Sequence, residues 1–399
     1  MVTQFYPPVA GGQEQHVRNL ARALAHRGHD VAVATIAIDG GAETTMDGPV
    51  SIHCVRTTAQ RLPLLYSDSE RPHAMPVPDP GFRKAIRQLL AEGHFDIVHA
   101  HDWSVTSVIG PAGRAGIPVV LTQHDYSHVC ATKRFMRQDE EPCDGPAPMK
   151  CLRCASSWHG PLMGPGVAVA NAISRRTRSK HLDAFIPVSS VVASNTRLPG
   201  RSPYTVIPNF IPDDLVLDDA VPNPDGSIVF VGDLSRDKGI DVLLDAHRRG
   251  GLPRLVLAGR VHEHTPLELS AEVELRGLLD HPSVMDLMQS AGVVVVPSIV
   301  PDCCPTVVLE AMAVGRPVVA AASGGIVDLV DDGVTGLLVP PGDPAALSTA
   351  LTTISRDHER AAGMGRAGLE RARLFTASAV VGRIEELYER LRSGQPLSS

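Results

Sequence analysis

Short runs of apolar, mostly β-branched residues alternate with longer segments of helical periodicity along almost the whole chain. This alternation limits the fold more than any other feature of the sequence. The apolar runs predict two successive series of strands: 30–37, 96–100, 117–122 and 184–188, then 227–231, 254–258, 292–297, 317–321 and 336–339. Strands that are apolar throughout are typical of parallel sheets covered by helices on both faces. The sequence therefore predicts an α/β protein with two doubly wound domains.

The segments between these runs predict helices. They lie at 13–27, 82–91, 240–249, 306–314 and 344–354, and an amphipathic last helix lies at 378–391. The stretch 204–226 is rich in proline and aspartate, which predicts a linker. The predicted division is an N-terminal Rossmann-like domain at 1–208, a C-terminal one at 209–375 and a terminal segment at 376–399.

Size and charge narrow the class of protein. A chain of 399 residues with 43% apolar residues can form two cores. Its net charge of -7 disfavours nucleic acid as a partner. No apolar run approaches the roughly 20 residues that cross a bilayer, and residues 1–6 do not resemble a signal peptide. The expected compartment is the cytoplasm.

Ligands of parallel sheets bind in the loops at the carboxyl ends of the strands. In the first series, Gly11 and Gly12 stand before a helix and offer amides to an anion, although a tight turn without a ligand has the same pattern. His124 and Asp125 follow the strand 117–122, where the alternative is a helix cap by Asp125.

The second series carries more charge in these loops. Arg236 and Lys238 follow one strand and suit phosphate oxygens, unless the loop is merely solvated. Asp302 and Glu310 suit sugar and ribose hydroxyls, because a carboxylate accepts several hydrogen bonds. A further Gly-Gly pair, at 324–325, opens another predicted helix.

The ordered set of these loops resembles family 4 of the retaining glycosyltransferases. The resemblance runs from Tyr6 to about Tyr388, and its most specific segments are 297–298, 302, 310–313, 315–320, 324–325 and 332–336. It implies the GT-B fold, in which two Rossmann-like domains face each other across an interdomain cleft. It also implies that the last helix crosses back onto the N-terminal domain.

The resemblance implies roles for individual residues. Those near the reacting sugar and the leaving group would be His124, Asp302 and Lys238. Those that bind the donor would be Gly11, Gly12, Arg236, Lys238, Cys304, Pro305, Thr306, Glu310, Gly324 and Gly325. Base recognition is expected around Arg260 and 275–278.

Three positions depart from the family pattern. Residue 302 is Asp where Glu is commoner, and Asp233 stands where many relatives have a phosphate-binding arginine, a loss that Arg236 would offset. The first strand is short, at most 1–6, which predicts a thin sheet edge, with a misassigned start codon as the alternative.

The implied reaction is sugar transfer with retention from a nucleoside-diphosphate sugar, UDP first and GDP next. No Asp-x-Asp motif stands out, so transfer without a catalytic metal is expected. The acceptor is unidentified: a small molecule, a polysaccharide or a lipid-linked sugar, with a soluble acceptor favoured and membrane contact not favoured. The alternatives are a GT-B sugar-nucleotide epimerase or phosphorylase, and a non-catalytic relative that binds a nucleotide sugar or a metal.

Four cysteines, Cys130, Cys143, Cys151 and Cys154, lie in a Cys-rich segment at 126–160. Their spacing ends in C-x2-C, which suits a structural zinc, with His128 as a substitute ligand. Free thiols, a redox-sensitive pair or an iron–sulfur cluster are the alternatives. A basic run follows at 175–181, which predicts a solvated helix end, with contact to anionic lipid as the alternative.

Overall fold

The computed structural model describes the chain except residues 10, 39–42, 62–72, 139–140, 197, 199–202, 220–222, 224–225, 263–264, 266–268 and 396–399. Parts of the predicted linker 204–226, of the Cys-rich segment and of the Gly11–Gly12 loop therefore lie outside the described residues. The chain divides into two compact units. The first consists of Met1–Pro208 with Val381–Ser399, and the second of Asn209–Val380.

The described residues of the first unit form eight strands and five α-helices before residue 200. Its elements are α1 (Gly12–His26), β1 (Ala32–Ile36), β2 (Glu43–Asp47), β3 (Val50–Val55), α2 (Pro80–Glu92), β4 (Val98–Ala100), α3 (Val105–Ala115), β5 (Val119–Gln123), β6 (Met136–Arg137), β7 (Glu141–Pro142), α4 (Pro148–His181), β8 (Ala184–Pro187) and α5 (Ser190–Thr196).

Residues at the very start of the chain lie in the middle of the first unit's sheet. Val2 bridges in parallel to Ala34 of β1 on one side and to Ala100 of β4 on the other. The sheet therefore runs β2-β3-β1, the Val2 segment, then β4-β5-β8, with only β2 antiparallel. The predicted thin edge at 1–6 is wrong, because both backbone edges of this segment are hydrogen-bonded to neighbouring strands.

The second unit contains one fully parallel sheet. Its elements are β9 (Ser227–Val231), α6 (Ile240–Arg248), β10 (Leu255–Ala258), β11 (Val273–Gly277), α7 (His281–Gln289), β12 (Ala291–Val296), α8 (Thr306–Ala313), β13 (Val318–Ala321), α9 (Ile326–Leu329), β14 (Gly336–Val339), α10 (Pro344–Arg356) and α11 (His358–Ala372). The strand order is β11-β10-β9-β12-β13-β14. This is the doubly wound order, and it reverses between β9 and β12.

Local sequence signals explain where several helices begin. Asp79, Asp280 and Asp343 precede α2, α7 and α10, and each side chain accepts hydrogen bonds from first-turn amides. A proline follows in the first turn of each helix, where its missing amide costs nothing. The last helix, α12 (Ala377–Arg392), spans the point at which the chain passes from the second unit to the first.

The predicted strands and helices all occur, with ends that shift by at most two residues. The long helix α4 was not predicted, because its sequence contains Pro161 and Pro165 and bends at Gly160, whose backbone is not helical. The basic run 175–181 closes this helix as expected, but Arg178 within it is 1% exposed, so the prediction of a wholly solvated end is wrong.

Candidate active site

The second unit places a lysine and an aspartate where its strand order reverses. The loop after β9 ends in one turn of 3₁₀ helix at Arg236–Lys238, and the loop after β12 carries Asp302. Lys238 Nζ donates to Asp302 Oδ1 at 2.6 Å, and Ser298 Oγ donates to Asp302 Oδ2 at 2.5 Å. The carboxyl ends of strands at such a reversal form the usual ligand site of a doubly wound sheet.

The Lys238–Asp302 pair keeps its lysine charged. Burial alone would lower the pKa of the Lys238 ammonium, but the Asp302 carboxylate outweighs burial and raises it. The lysine side chain remains 34% exposed, against 15% for the aspartate. An incoming diphosphate carries more negative charge than one carboxylate, so it can take over the ammonium.

Two glycines bring the loops of this site into backbone contact. Gly239 has φ +75°, and a Cβ there would lie 2.0 Å from the carbonyl oxygen of Pro297. Gly324 has φ +59°, and a Cβ there would lie 2.0 Å from the carbonyl oxygen of Asp302. The Gly325 amide donates to that same carbonyl at 2.6 Å. The Gly-Gly pair therefore holds the Asp302 loop, and its binding of a diphosphate stays a prediction.

The start of α8 suits an anion. Pro305 stands at the N-cap without a side-chain cap bond, so the first-turn amides that begin with Thr306 have no side-chain partner there. Cys304 is buried, and its carbonyl accepts a hydrogen bond from Asn209 Nδ2 at 2.8 Å. Burial raises the pKa of the Cys304 thiol to about 12, which argues against a nucleophilic role.

Glu310 has a partner that the sequence analysis missed. His281 Nε2 lies 3.1 Å from Glu310 Oε1, and this hydrogen bond raises the pKa of His281. The glutamate side chain is 13% exposed. His281 opens α7 directly after its aspartate cap, a position that gave no signal of a site in the sequence. The ribose contact of Glu310 stays a prediction.

The basic residues around Asp233 are arranged differently from the expectation. Arg236 is 83% exposed and pairs with Asp241 of α6 at 3.0 Å. Asp233 instead lies 4.0 Å from Arg260 and 3.7 Å from His262. The contact of Arg236 with the donor phosphates stays a prediction, and Arg260 is a second cation beside Asp233.

The reversal of strand order in the first unit lies between the Val2 segment and β4, and a buried aspartate ties its loops together. Asp102 accepts hydrogen bonds from the amide of Gln4 at 2.5 Å, the amide of Ser104 at 2.7 Å and Gln13 Nε2 at 3.0 Å. These partners belong to three separate segments. Asp102 therefore fixes the loops that lead into α1 and α3, much as a cap fixes a helix end.

Four histidines gather beside this aspartate: His16, His99, His101 and His124. His101 Nδ1 lies 3.0 Å from His124 Nε2, and the two rings stack with centroids 5.3 Å apart. The His16 ring lies 4.8 Å from that of His124, and the His99 ring 4.3 Å from that of His101. Burial lowers the pKa of His16, His99 and His101 well below the ordinary value, so these three imidazoles are neutral at pH 7.

The last helix completes one side of the histidine cluster. His99 Nδ1 lies 2.5 Å from Tyr388 Oη of α12, and His99 Nε2 lies 2.6 Å from Thr122 Oγ1. Glu385 of α12 also pairs with Arg27 after α1. The predicted candidate His124 thus stands at one end of a chain of contacts that reaches α12.

The Gly11–Gly12 loop holds a carboxylate of the chain itself. A Cβ on Gly11 would lie 2.0 Å from Glu14 Oε2 in the first turn of α1. Glu14 and His16 are both buried. The spacing Gly-Gly-x-Glu-x-His is the sequence signal for this contact, which the sequence analysis missed. Binding of the donor phosphate at Gly11 and Gly12 stays a prediction.

The four clustered cysteines lie in or before α4. All have free thiols, and Gly145 N donates to Cys143 Sγ at 3.4 Å. Burial raises the pKa of Cys151, and the nearby Cys130, Cys143 and Cys154 raise it further. In the part of the chain that the structure describes, no three His, Cys, Asp or Glu side chains form a group that could hold a metal ion. Structural zinc at these thiols stays a prediction, which the metal content of the purified chain tests.

Known families match both units. A family model described as Glycosyltransferase Family 4 matches residues 10–215, and one described as Glycosyl transferases group 1 matches residues 225–357. None of the helices among the described residues combines the length and apolar character needed to cross a bilayer.

Similar proteins cover nearly the whole chain. A phosphatidyl-myo-inositol mannosyltransferase of Mycobacterium leprae is 27% identical over 98% of this chain and 96% of its own length. A D-inositol 3-phosphate glycosyltransferase of Xylanimonas cellulosilytica is 29% identical over 97% of this chain and 93% of its own.

Solved structures share the fold. Sucrose-phosphate synthase from Thermosynechococcus elongatus superposes with a TM-score of 0.76 over 99% of both chains, at 21% identity. Anabaena HepE in complex with UDP gives 0.67 over 97% of this chain and 98% of its own, at 20% identity. The likeness confirms the predicted pair of Rossmann-like domains.

Proposed function

The chain belongs to glycosyltransferase family 4 and has the GT-B fold, and on that premise we propose that it transfers a sugar from UDP-sugar to a hydroxyl group with retention at the anomeric carbon. The observation that carries the proposal is the Lys238–Asp302 pair at the strand-order reversal of the second unit. The Lys238 ammonium lies at the same strand-order reversal as the uncapped start of α8. A leaving diphosphate needs such positive charge, because negative charge grows on it as the bond breaks.

In the proposed step, the bond between the anomeric carbon and the diphosphate oxygen breaks while the acceptor oxygen bonds to the same face. The acceptor proton passes to the leaving diphosphate. Lys238 stabilises the charge that grows on that group, and the first amides of α8 assist it. Asp302, released from the lysine, then faces the positively charged sugar.

His124 acts on the sugar from the first unit in this proposal. The uncharged His16 and His101 beside it support such a contact, because they place no net charge next to a sugar hydroxyl, which needs only a directed hydrogen bond. His101, 3.0 Å away, decides which ring nitrogen of His124 carries the proton. His101 is thus a positioning residue for His124.

The donor base and the acceptor are inferred from relatives. Anabaena HepE is in complex with UDP, which favours UDP over GDP for this chain. Two relatives are named for inositol 3-phosphate and for phosphatidyl-myo-inositol. An inositol-bearing acceptor therefore heads the acceptor screen. Turnover without an added metal is expected.

Calorimetric titration of the whole chain with UDP, GDP, ADP and CMP tests the donor site. We expect UDP to bind and Glu310→Ala to weaken it about tenfold or more, because a ribose hydroxyl loses a charged acceptor. Glu359→Ala is the matched control, since Glu359 is an exposed glutamate of α11. If no nucleotide binds to the folded protein, or if both variants lose the same affinity, the donor-site assignment is wrong.

A second assay tests the reaction itself. With the nucleotide sugar that binds, sugar should leave UDP only when an acceptor is present, and the anomeric configuration of the product should match that of the donor. If the donor sugar is converted without any acceptor, the enzyme is an epimerase and not a transferase. Inversion in the product would contradict the same-face step.

A further inference from the structure

Helix α4 folds back on itself in the first unit. Gly160 has φ +82° and ψ 159°, so the helix consists of two arms, 148–159 and 161–181. The arms touch at Gly164, where a Cβ would lie 2.3 Å from the carbonyl oxygen of Ala155. The two arms are therefore in backbone contact close to the bend.

The hairpin lines a cavity of about 820 Å³, within the range of small-molecule sites. Its first arm contributes Pro148 and Leu152, its second arm Ala168 and Ala172, and the loop before it Val129. These five side chains carry no hydrogen-bonding atom, so the part of the wall that they form suits an alkyl chain rather than a sugar. The lining also contains the polar residues Cys151, Asn171 and Ser179.

Basic side chains stand on the same wall, toward the end of the second arm. Arg175, Arg176 and Lys180 all line the cavity. Among the described residues, Arg176 and Lys180 make no ion pair, and both are exposed. The chain as a whole carries a net charge of -7, so this local concentration of positive charge is opposite to the average.

A buried arginine holds the second arm in place. Arg178 donates to Asn171 Oδ1 at 2.8 Å, to Ser174 Oγ at 2.8 Å and to the carbonyl of His128 at 3.1 Å. The arm is therefore fixed to the loop that follows His124, and the cavity wall does not depend on an occupant for its shape.

We propose that this cavity binds an anionic amphiphile, with its alkyl chain between the two arms of α4 and its acidic head at Arg176 and Lys180. An apolar wall that ends in basic side chains matches such a molecule at both ends. Exposed apolar residues at the mouth, Val169 at 52% and Ile173 at 60%, extend the surface available to the chain. The site is separate from the proposed transfer chemistry and does not depend on it.

Calorimetric titration of the whole chain with dodecyl phosphate, below its critical micelle concentration, tests this site. Inorganic phosphate supplies the head alone, and dodecyl maltoside supplies the same chain under an uncharged head. Dodecyl phosphate should bind at least about tenfold more tightly than either, because only it gains both burial of the chain and ion pairing.

Three variants separate the two halves of the site. Arg176→Glu combined with Lys180→Glu should weaken dodecyl phosphate about tenfold or more by charge repulsion. Ala172→Phe should weaken it by filling the cavity. Arg153→Glu, an exposed arginine on the first arm outside the cavity, is the matched control and should bind as the unchanged chain does. Thermal unfolding of each variant verifies that it is folded.

Three results would overturn the proposal. The first is no binding of dodecyl phosphate to the unchanged chain. The second is equal loss in Arg153→Glu and in the double variant. The third is sedimentation with phosphatidylglycerol vesicles without binding of the monomeric amphiphile, which would make the basic arm a membrane surface and leave the cavity without a ligand.

Discussion

Each unit has a sheet whose strand order reverses beside its first strand, and the two units place different chemistry at that reversal. In the second unit the residues are charged and paired, as in Lys238–Asp302 and His281–Glu310. In the first unit they are the neutral histidines around His124 and one buried aspartate that binds only amides and hydroxyls. In a doubly wound sheet the topology determines where a ligand binds. The side chains at that place determine which part of the ligand each sheet can bind.

This difference suggests a division of work. Charged pairs that can exchange partners suit a diphosphate, whose binding energy is largely electrostatic. Neutral imidazoles suit hydroxyl groups, which need directed hydrogen bonds and no net charge. The four experiments below would break or sharpen this comparison, and they run from the largest expected effect to the smallest.

Acid should destabilise the first unit between pH 7.5 and 5.5, by at most about 1.4 kcal/mol for each buried histidine and at most about 5 kcal/mol for all of them. Burial lowers the pKa of four histidines there: His16, His99, His101 and His128. In the unfolded chain these histidines bind protons as the pH drops below about 6.5, whereas in the folded chain they stay neutral. The free energy of unfolding therefore decreases as the pH is lowered.

Tryptophan fluorescence in urea measures this effect, because both tryptophans, Trp103 and Trp158, belong to the first unit. Hydrogen exchange in β9–β14 is the internal control. His281 in the second unit has a raised pKa, so its contribution is full below about pH 6.5 and is lost as pH rises through the folded value. A tryptophan midpoint that does not move between the two pH values would show that the histidines are not buried neutral.

Lys238→Ala should lower kcat/KM about a thousandfold, because the leaving diphosphate loses its fixed cation. The decrease in kcat/KM should be similar for every donor analogue that carries a diphosphate. Lys84→Ala, an exposed lysine of α2, is the matched control and should retain activity. Similar losses of kcat/KM in the two variants would contradict the proposal that the second unit binds the diphosphate.

His124→Asn should lower kcat about a hundredfold while the Kd for UDP stays unchanged, because the histidine acts on the sugar and not on the nucleotide. The conservative variant His101→Asn should change the pH dependence of kcat more than its maximum. His26→Asn, at the exposed end of α1, is the control. Weaker UDP binding in His124→Asn would break the proposed division between the units.

Asp302→Asn should tighten UDP about tenfold and still lower kcat, since the lysine no longer has to leave an internal partner. Burial enlarges this effect, because Asp302 is only 15% exposed. Calorimetry and initial rates on the same sample measure both quantities. Unchanged UDP affinity would show that Lys238 does not exchange partners. Asp331→Asn, another acid of the second unit, controls for loss of charge.

The sequence was sufficient for most of the parallel strands, but it missed β3, which pairs in parallel with β1, and the strands at the sheet edges. The strand β12 reads as an unbroken apolar run because both faces are buried, so it was predicted. The strands β2 and β11 are exposed edges with Glu, Thr and Arg side chains, so their pattern does not differ from that of a loop.

The candidate site divides in the same way. Lys238, Asp302 and Glu310 were found because the family pattern marks them one by one. His101 and His281 were missed because their partners, His124 and Glu310, are more than twenty residues away in sequence. Contacts between distant loops follow from strand order, and no local pattern of the chain records them.

The glycines at 239 and 324 limit which changes this site can undergo by substitution. Each brings one loop against the backbone of another so closely that any side chain would push both apart. The distance from the Lys238 loop to the Asp302 loop is therefore a constant of the scaffold. Substitution can alter what the neighbouring side chains recognise, but it cannot widen the gap between these loops, where we propose that the leaving group binds. On the proposed assignment, a change of donor preference in this chain has to come from the contacts with the sugar and the base, while the place of the diphosphate stays the same.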